Sequence, residues 1–417
     1  MNSFIESELN CLKNSDEEIY KIIYSELLRQ QQSIDLIASE NLASEDILSS
    51  VGSVLMNKYA EGYPGSRYYA GCNNIDTLEQ IAIDRLKKLF GAESANVQPH
   101  SGANANLAVY FAMLSPGDTV MGMRLSDGGH LTHGLKRNIS GQYFNFVDYG
   151  VNLDTGVLDY DEIQEVAYKC KPKMIVCGAS AYPRAIDFSK FRKIADSVSA
   201  LLMADIAHIA GLVATGYHQS PIPYADFVTS TTQKTLRGPR GGVIMCKKQY
   251  EEKINKGVFP GIQGGPHQNT IAAKAICFKN AMKSEFKNYI KNVVSNCATM
   301  ADEFKKLGIN LMSDGTDTHL LVLDLTSLGI TGECLQTRLE DVNIITNKET
   351  IPGEKLGSSV TSGLRIGTSA ITSRGMNQED CKLIADLIHL SCIDFENRRD
   401  YIKSKVSELT NKYPIYM

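Results

Sequence analysis

Short apolar, β-prone runs recur near residues 96, 119, 174, 201, 226 and 243, with helical spacing between most of them. Such βα alternation predicts a mostly parallel sheet covered by helices, with ligand groups gathered at the strand ends. After VFPGIQGGPHQN the texture changes. A long helical region, roughly 266–307, leads to INLMSDGTDTHLLVLDLTSLG, a helix around GECLQTRLEDV, a strand NIITN, the segment TSGLRIGTSAIT and two closing amphipathic helices. That less regular order predicts a smaller α+β domain. With 417 residues and about 150 per domain, the reading is an N-terminal arm over 1–45, a large domain over 46–285 and a small domain over 286–417.

Composition narrows the function. The chain is 43% apolar and 22% charged, with a net charge of −4, which is ordinary for a globular enzyme and argues against general affinity for nucleic acid or anionic membrane. Ten cysteines occur without a C-x-x-C pair, the pattern of reduced thiols in a reducing compartment. The acidic N-terminal segment reads as neither a signal nor a transit peptide, and no apolar run approaches about 20 residues. A cytoplasmic setting is expected.

The stretch from Leu201 to Cys246 carries the strongest chemical hint. LLMADIAHIAGL ends an apolar run in Asp205 and then His208, and DFVTSTTQKTLRGPRGGVIMC holds Lys234 between two strand-like runs. Core strands prefer unbroken Val, Ile and Leu. An acid and an amine at such places suggest a Schiff-base lysine and a carboxylate that keeps a pyridine nitrogen protonated. The alternative is a buried Asp–Lys ion pair between neighbouring strands.

Other segments add candidates. The HSGAN turn opens a helix, so Ser101, Gly102 and Ala103 present the free backbone N–H groups that suit a phosphate, although small residues also occur at ordinary helix starts. The sequence DGGHLTHG sets His130 and His133 three apart, but no acid or cysteine has metal-ligand spacing to them, so no metal is predicted and stacking or hydrogen bonding is favoured. KYAEGYPGSRYYAGC packs Tyr59, Glu61, Tyr63, Arg67, Tyr68 and Tyr69 into a Gly/Pro loop, either functional or simply surface. Ser180 ends another apolar run, and Arg365 in a Gly/Ser/Thr setting reads as a carboxylate clamp or a structural loop cap.

Taken together, the blocks LIASEN, KYAEGYPGSRYY, VQPHSGANAN, GGHLTHG, GASAYPR, ADIAHIAGL, TTQKTLRGPRGG, FPGIQGGP and TSGLRIGT, in this order along almost the whole chain, resemble the serine hydroxymethyltransferase family. The resemblance implies a pyridoxal-phosphate enzyme of fold type I, the aspartate-aminotransferase type. Its reaction would reversibly move the hydroxymethyl carbon of L-serine to tetrahydrofolate, giving glycine and 5,10-methylenetetrahydrofolate.

The same resemblance implies roles. Lys234 would form the Schiff base with pyridoxal 5'-phosphate, Asp205 would pair with the pyridine nitrogen, His208 would lie by the phenolic oxygen and His130 would stack on the ring. Ser101, Gly102 and Ala103 would hold the phosphate together with the Gly264–Gly265 turn and Tyr59, these last from a partner subunit. Ser180, Thr231 and Thr232 would support the cofactor. Arg365 and Ser39 would bind the amino-acid carboxylate. Glu61 and Tyr69, also from the partner, would act at the hydroxymethyl group, and Leu125, Gly129 and Leu131 would lie near the folate. A homodimer with shared sites follows, alone or within a tetramer. Gln233, Ala103, Glu349 and the SSV before Thr361 depart from the family's more usual His, Ser, Asn and Pro-Phe. Two rival readings stand beside this one: a folate-independent aldolase for β-hydroxy amino acids, and a non-catalytic binding protein on the same fold.

Overall fold

The computed structural model describes residues 3–416, which fall into two compact units: one spans Asp46–Lys291, and the other joins the residues up to Glu45 with those from Asn292 onward. The larger unit is built on a seven-stranded sheet. In chain order its strands are β1 (Ser94–Asn96), β2 (Thr119–Met123), β3 (Asn145–Tyr149), β4 (Met174–Gly178), β5 (Leu201–Asp205), β6 (Phe227–Thr231) and β7 (Gly242–Cys246). In space they run β1-β7-β6-β5-β4-β2-β3. All neighbours are parallel except β7, which is antiparallel to both β6 and β1.

Two reversals cancel, so β1 points the same way as β6. The carboxyl ends of β1, β2, β4, β5 and β6 and the start of β7 therefore share one edge. Strands β4, β6 and β7 are buried along their whole length, as continuous apolar runs covered on both faces should be. Met174, Val176, Met203, Phe227 and Ile244 pack there against Ala105, Val109 and Tyr110 of the helix Gly102–Met113. The helix before β1 is α1 (Asn73–Phe90), closed by Gly91 at φ +72°, a left-handed stop that glycine takes without a Cβ clash.

Sequence reading missed β3. Asn145–Tyr149 is an edge strand in which only Tyr149 is buried, so it lacks the apolar run that marked its neighbours. The helical region around 266–307 is two helices, Gln268–Ala281 and Ser284–Lys306. The NIITN strand is likewise two: Ile344–Ile345 pairs in parallel with Ile34–Asp35, and Asn347–Glu349 pairs antiparallel with Gly363–Gly367.

The second unit holds a four-stranded sheet in the order Asn310–Leu311, Leu320–Asp324, Gly363–Gly367, Asn347–Glu349. Leu321, Leu323, Leu364 and Ile366 bury one face against Ile384, Leu387 and Ile388 of the helix Gln378–Ile393. The Arg374 guanidinium ties the chain ends of this unit together. It donates to the carbonyls of Gln30, Gln31 and Ser33 on one side and of Thr410 and Tyr413 on the other. Among the described residues, no helix is long and apolar enough to cross a membrane.

Candidate active site

Because the strand ends converge on one edge, the polar residues that close them meet there. Asp205 ends β5, and its side chain is surrounded by donors. Asn106 Nδ2 donates to Oδ2 at 2.8 Å, the backbone N–H of Ala207 donates to Oδ1 at 3.0 Å, and His133 Nε2 lies 3.2 Å from Oδ2. Each donor is itself held in place. Asn106 Oδ1 accepts from Thr229 Oγ1 at 2.6 Å, which turns the amide nitrogen toward the acid. His133 Nδ1 accepts from the backbone N–H of His130 at 3.2 Å, so the proton of a neutral ring lies on Nε2, facing Asp205. Burial alone would push the Asp205 carboxyl up. The hydrogen bonds from His133 and Asn106 outweigh burial and hold it well below the ordinary carboxylate range.

This arrangement corrects the spacing argument for the two histidines. An acid does stand beside them: donor atoms of His130, His133 and Asp205 lie within 4.8 Å of one another. It arrives from β5, 72 residues after His133, where no linear motif would place it. His130 Nδ1 pairs with Thr132 Oγ1 at 2.7 Å, and Thr132 in turn accepts from Asn106 Nδ2 at 2.8 Å.

Lys234 is buried in the turn between β6 and β7. The turn is closed by Thr232 N–H to Gly241 O at 3.1 Å, Gly238 N–H to Thr232 O at 2.7 Å and Arg237 N–H to Lys234 O at 3.1 Å. Gln233 accepts from the Gly241 N–H through its side chain at 3.3 Å. Thr231 Oγ1 donates to Ala207 O at 3.2 Å, and Thr235 Oγ1 donates to the carbonyl of the buried His208 at 2.9 Å. The lysine turn is thus tied to the segment that follows Asp205.

At the end of β1 the helix Gly102–Met113 begins with Ser101 as its cap. Ser101 Oγ accepts from Asn104 N–H at 3.2 Å, leaving the N–H groups of Gly102 and Ala103 as the helix's first free donors. A Cβ on Gly102 would lie 2.7 Å from Thr231 Cγ2, so the helix start abuts the end of β6. Ser180 N–H donates to Gly128 O at 2.7 Å and ties the 125–131 loop to the end of β4. Leu125 and Leu131 are exposed on that loop, and Gly129 is packed too closely for a side chain, with Met123 O at 2.1 Å from an added Cβ.

Tyr59, Glu61, Tyr69, Gly264 and Gly265 form a separate cluster. Tyr59 donates to Glu61 Oε1 at 3.3 Å and its ring lies 5.1 Å from that of Tyr69. A Cβ on Gly264 would be 3.1 Å from Glu61 Oε1, and one on Gly265 would be 3.0 Å from the Tyr59 ring. Beneath the cluster Arg67 is buried against Glu79 at 2.6 Å and Asp76 at 2.8 Å, and also donates to the carbonyls of Ala60 and Gly62.

Arg365 and Ser39 belong to the other unit. Arg365 lies on Gly363–Gly367, and the strand end at Gly367 rests on the LIASEN segment: its N–H donates to Leu36 O at 2.8 Å, and a Cβ there would lie 2.4 Å from Ala38 Cα. Across the strand pair, Arg365 Nε donates to Asn347 Oδ1 at 3.1 Å and lies 3.6 Å from Glu349 Oε2. Burial raises the Glu349 carboxyl, with Arg365 acting in the opposite sense.

Residue-by-residue reading missed Asn106, Thr132 and Thr229 and gave His133 no partner; a polar residue inside an apolar helix or strand is the signal that could have found them. The network makes a pH prediction. A carboxylate depressed in the folded state contributes stability above its unfolded pKa of about 3.9, and this is lost as pH falls. His133→Phe leaves burial less opposed at Asp205. It is expected to cost about 2 kcal/mol at pH 7, a gap to the parent protein that holds down to about pH 4 and narrows below it, as the depressed Asp205 carboxylate takes up its proton. Urea unfolding of the ligand-free proteins measures it, and a gap independent of pH would show that His133 does not hold the charge. The model of one protein family, described as serine hydroxymethyltransferase, matches residues 12–388.

Proposed function

The chain belongs to the serine hydroxymethyltransferase family, and we propose that its reaction is carried by Lys234, Asp205, His208, His130, Glu61, Tyr69 and Arg365. As a member of that family it is a pyridoxal-phosphate enzyme of fold type I that transfers the hydroxymethyl carbon of serine to tetrahydrofolate. One observation carries the assignment of residues: a carboxylate held charged inside the core, Asp205, closes the strand beside the one that leads into the buried Lys234. The donor set fits the cofactor, since a buried amine suits its aldehyde, an anionic carboxylate suits a protonated ring nitrogen, and the free N–H groups of Gly102 and Ala103 suit its phosphate.

When bound, pyridoxal phosphate supplies a ring that takes up negative charge developing at the substrate's α-carbon. Lys234 would hold the cofactor through its amine and Asp205 would keep the proton on the pyridine nitrogen. His208 would stand by the phenolic oxygen, His130 against the ring face, and Ser101, Gly102, Ala103, Ser180, Thr231 and Thr232 around the rest. Arg365 and Ser39 would orient the serine carboxylate, which selects the bond that breaks. Glu61 would take the proton of the serine hydroxyl as the one-carbon unit leaves, with Tyr69 beside it. Leu125, Gly129 and Leu131 would border the folate.

Tyr59, Glu61, Tyr69, Gly264 and Gly265 are read as a block delivered to a partner's site, making a homodimer the functional unit. Apolar exposure next to that block supports this reading: Val54 is 81% exposed, Met56 65% and Tyr68 77%. The ten cysteines are all free thiols, which supports a reducing, cytoplasmic setting.

Three experiments test the proposal. Glycine and tetrahydrofolate added together should produce a long-wavelength visible absorbance band that neither produces alone. A response to glycine that ignores folate would instead favour the folate-independent aldolase. Co-expressing a Lys234→Ala chain with a Glu61→Gln chain should restore about a quarter of the parent activity, because only mixed dimers hold one intact site; no recovery would place both residues in one chain's site. Glu349 competes with the substrate carboxylate for Arg365, so Glu349→Gln should lower KM for serine about three- to tenfold with little change in kcat. An unchanged KM would show that the ion pair opens without cost.

A further inference from the structure

One buried charge has no part in this mechanism. Lys274, on the helix Gln268–Ala281, is 1% exposed, and its Nζ donates to three backbone carbonyls: Val97 at 2.7 Å, Gly242 at 2.8 Å and Pro99 at 2.9 Å. Burial draws its pKa down to about 7. The three acceptors act the other way, because an ammonium has three hydrogens to give and a neutral amine only two.

The three carbonyls share one location. Pro99 O also accepts the Gly242 N–H at 3.0 Å, so the lysine grips both residues of the bond that joins the 97–101 segment to the start of β7. A Cβ on Gly242 would lie 2.1 Å from Ser101 O and 3.0 Å from Gly102 N, so the Ser101–Gly102 peptide rests directly on Gly242. On its other side the segment is held by Gln263, which accepts from His100 N–H at 2.9 Å and donates to Gln98 O at 3.0 Å. Gly241 leaves room for the lysine: a Cβ there would lie 2.4 Å from Lys274 Cε and 3.0 Å from Nζ.

We infer that Lys274 is a positioning residue for phosphate recognition, setting the height and tilt of the Ser101–Gly102 helix start through Val97, Pro99 and Gly242. The inference rests on the reading that this helix start holds the cofactor phosphate. Lys274 touches neither cofactor nor substrate in this role. Its effect is preorganisation, which is lost when a donor is removed from three buried acceptors.

Pyridoxal phosphate and pyridoxal, which lacks the phosphate, separate the possibilities. Their dissociation constants are measured for the apo forms of the parent protein, Lys274→Met and Gly241→Ala. Lys274→Met should weaken pyridoxal phosphate about tenfold or more while leaving pyridoxal within about twofold. Gly241→Ala retains the amine but displaces it, and should produce the same selective loss; it decides the matter if Lys274→Met does not fold. Equal weakening of both ligands would make Lys274 a general fold element, and unchanged phosphate preference would remove it from recognition; either overturns the inference. A parent protein that binds both ligands alike would instead overturn the reading of the helix start as the phosphate site.

Discussion

Asp205 ends a buried strand, where an unpaired carboxylate would take up a proton rather than stay charged. Asn106, the Ala207 N–H and His133 prevent that, and the partners of these donors leave them no alternative orientation. The first helix after β1, the loop after β2 and the strand β6 all supply members of this one network. Sheet order and site are therefore coupled: moving β5 by one place would strand an anion in the core. A fixed negative charge at the strand end is also what a protonated pyridine nitrogen requires, so folding and cofactor chemistry ask for the same arrangement.

The loop bearing Tyr59, Glu61 and Tyr69 is handled differently. Its outer side chains are exposed, while Arg67 beneath them is locked into two carboxylates and two carbonyls. Buried ion pairs of this kind add little net stability but resist being opened, since removing one partner leaves the other uncompensated. That suits a segment read as working in a neighbouring subunit, since its exposed side chains are anchored from beneath to its own helix α1. Lys274 applies the same logic to the helix start at Ser101, with carbonyls in place of carboxylates.

In the second unit, Arg365 is held on the central part of its sheet by Asn347 and lies near Glu349. A guanidinium with a nearby carboxylate avoids carrying an unpaired buried charge before substrate arrives. On the proposed reading of Arg365 as the carboxylate clamp, substrate binding would exchange one carboxylate for another, and affinity would depend on Glu349 as well as on Arg365.

The βα alternation, the helix that opens at the HSGAN turn and the order of the motif blocks were legible in the amino-acid sequence, because burial of a strand or a helix face imprints a local period on neighbouring residues. The edge strand β3 was not, because half-exposed strands carry no such imprint. Nor were the partners of Asp205 or the grip of Lys274 on Val97, which join residues 72, 99 and 177 positions apart. Sequence by itself determined the family, the fold class and the chemical types available. Tertiary structure alone decided which of them touch, because hydrogen bonds form between whatever strand order makes adjacent, and adjacency in a crossover sheet is not adjacency along the chain.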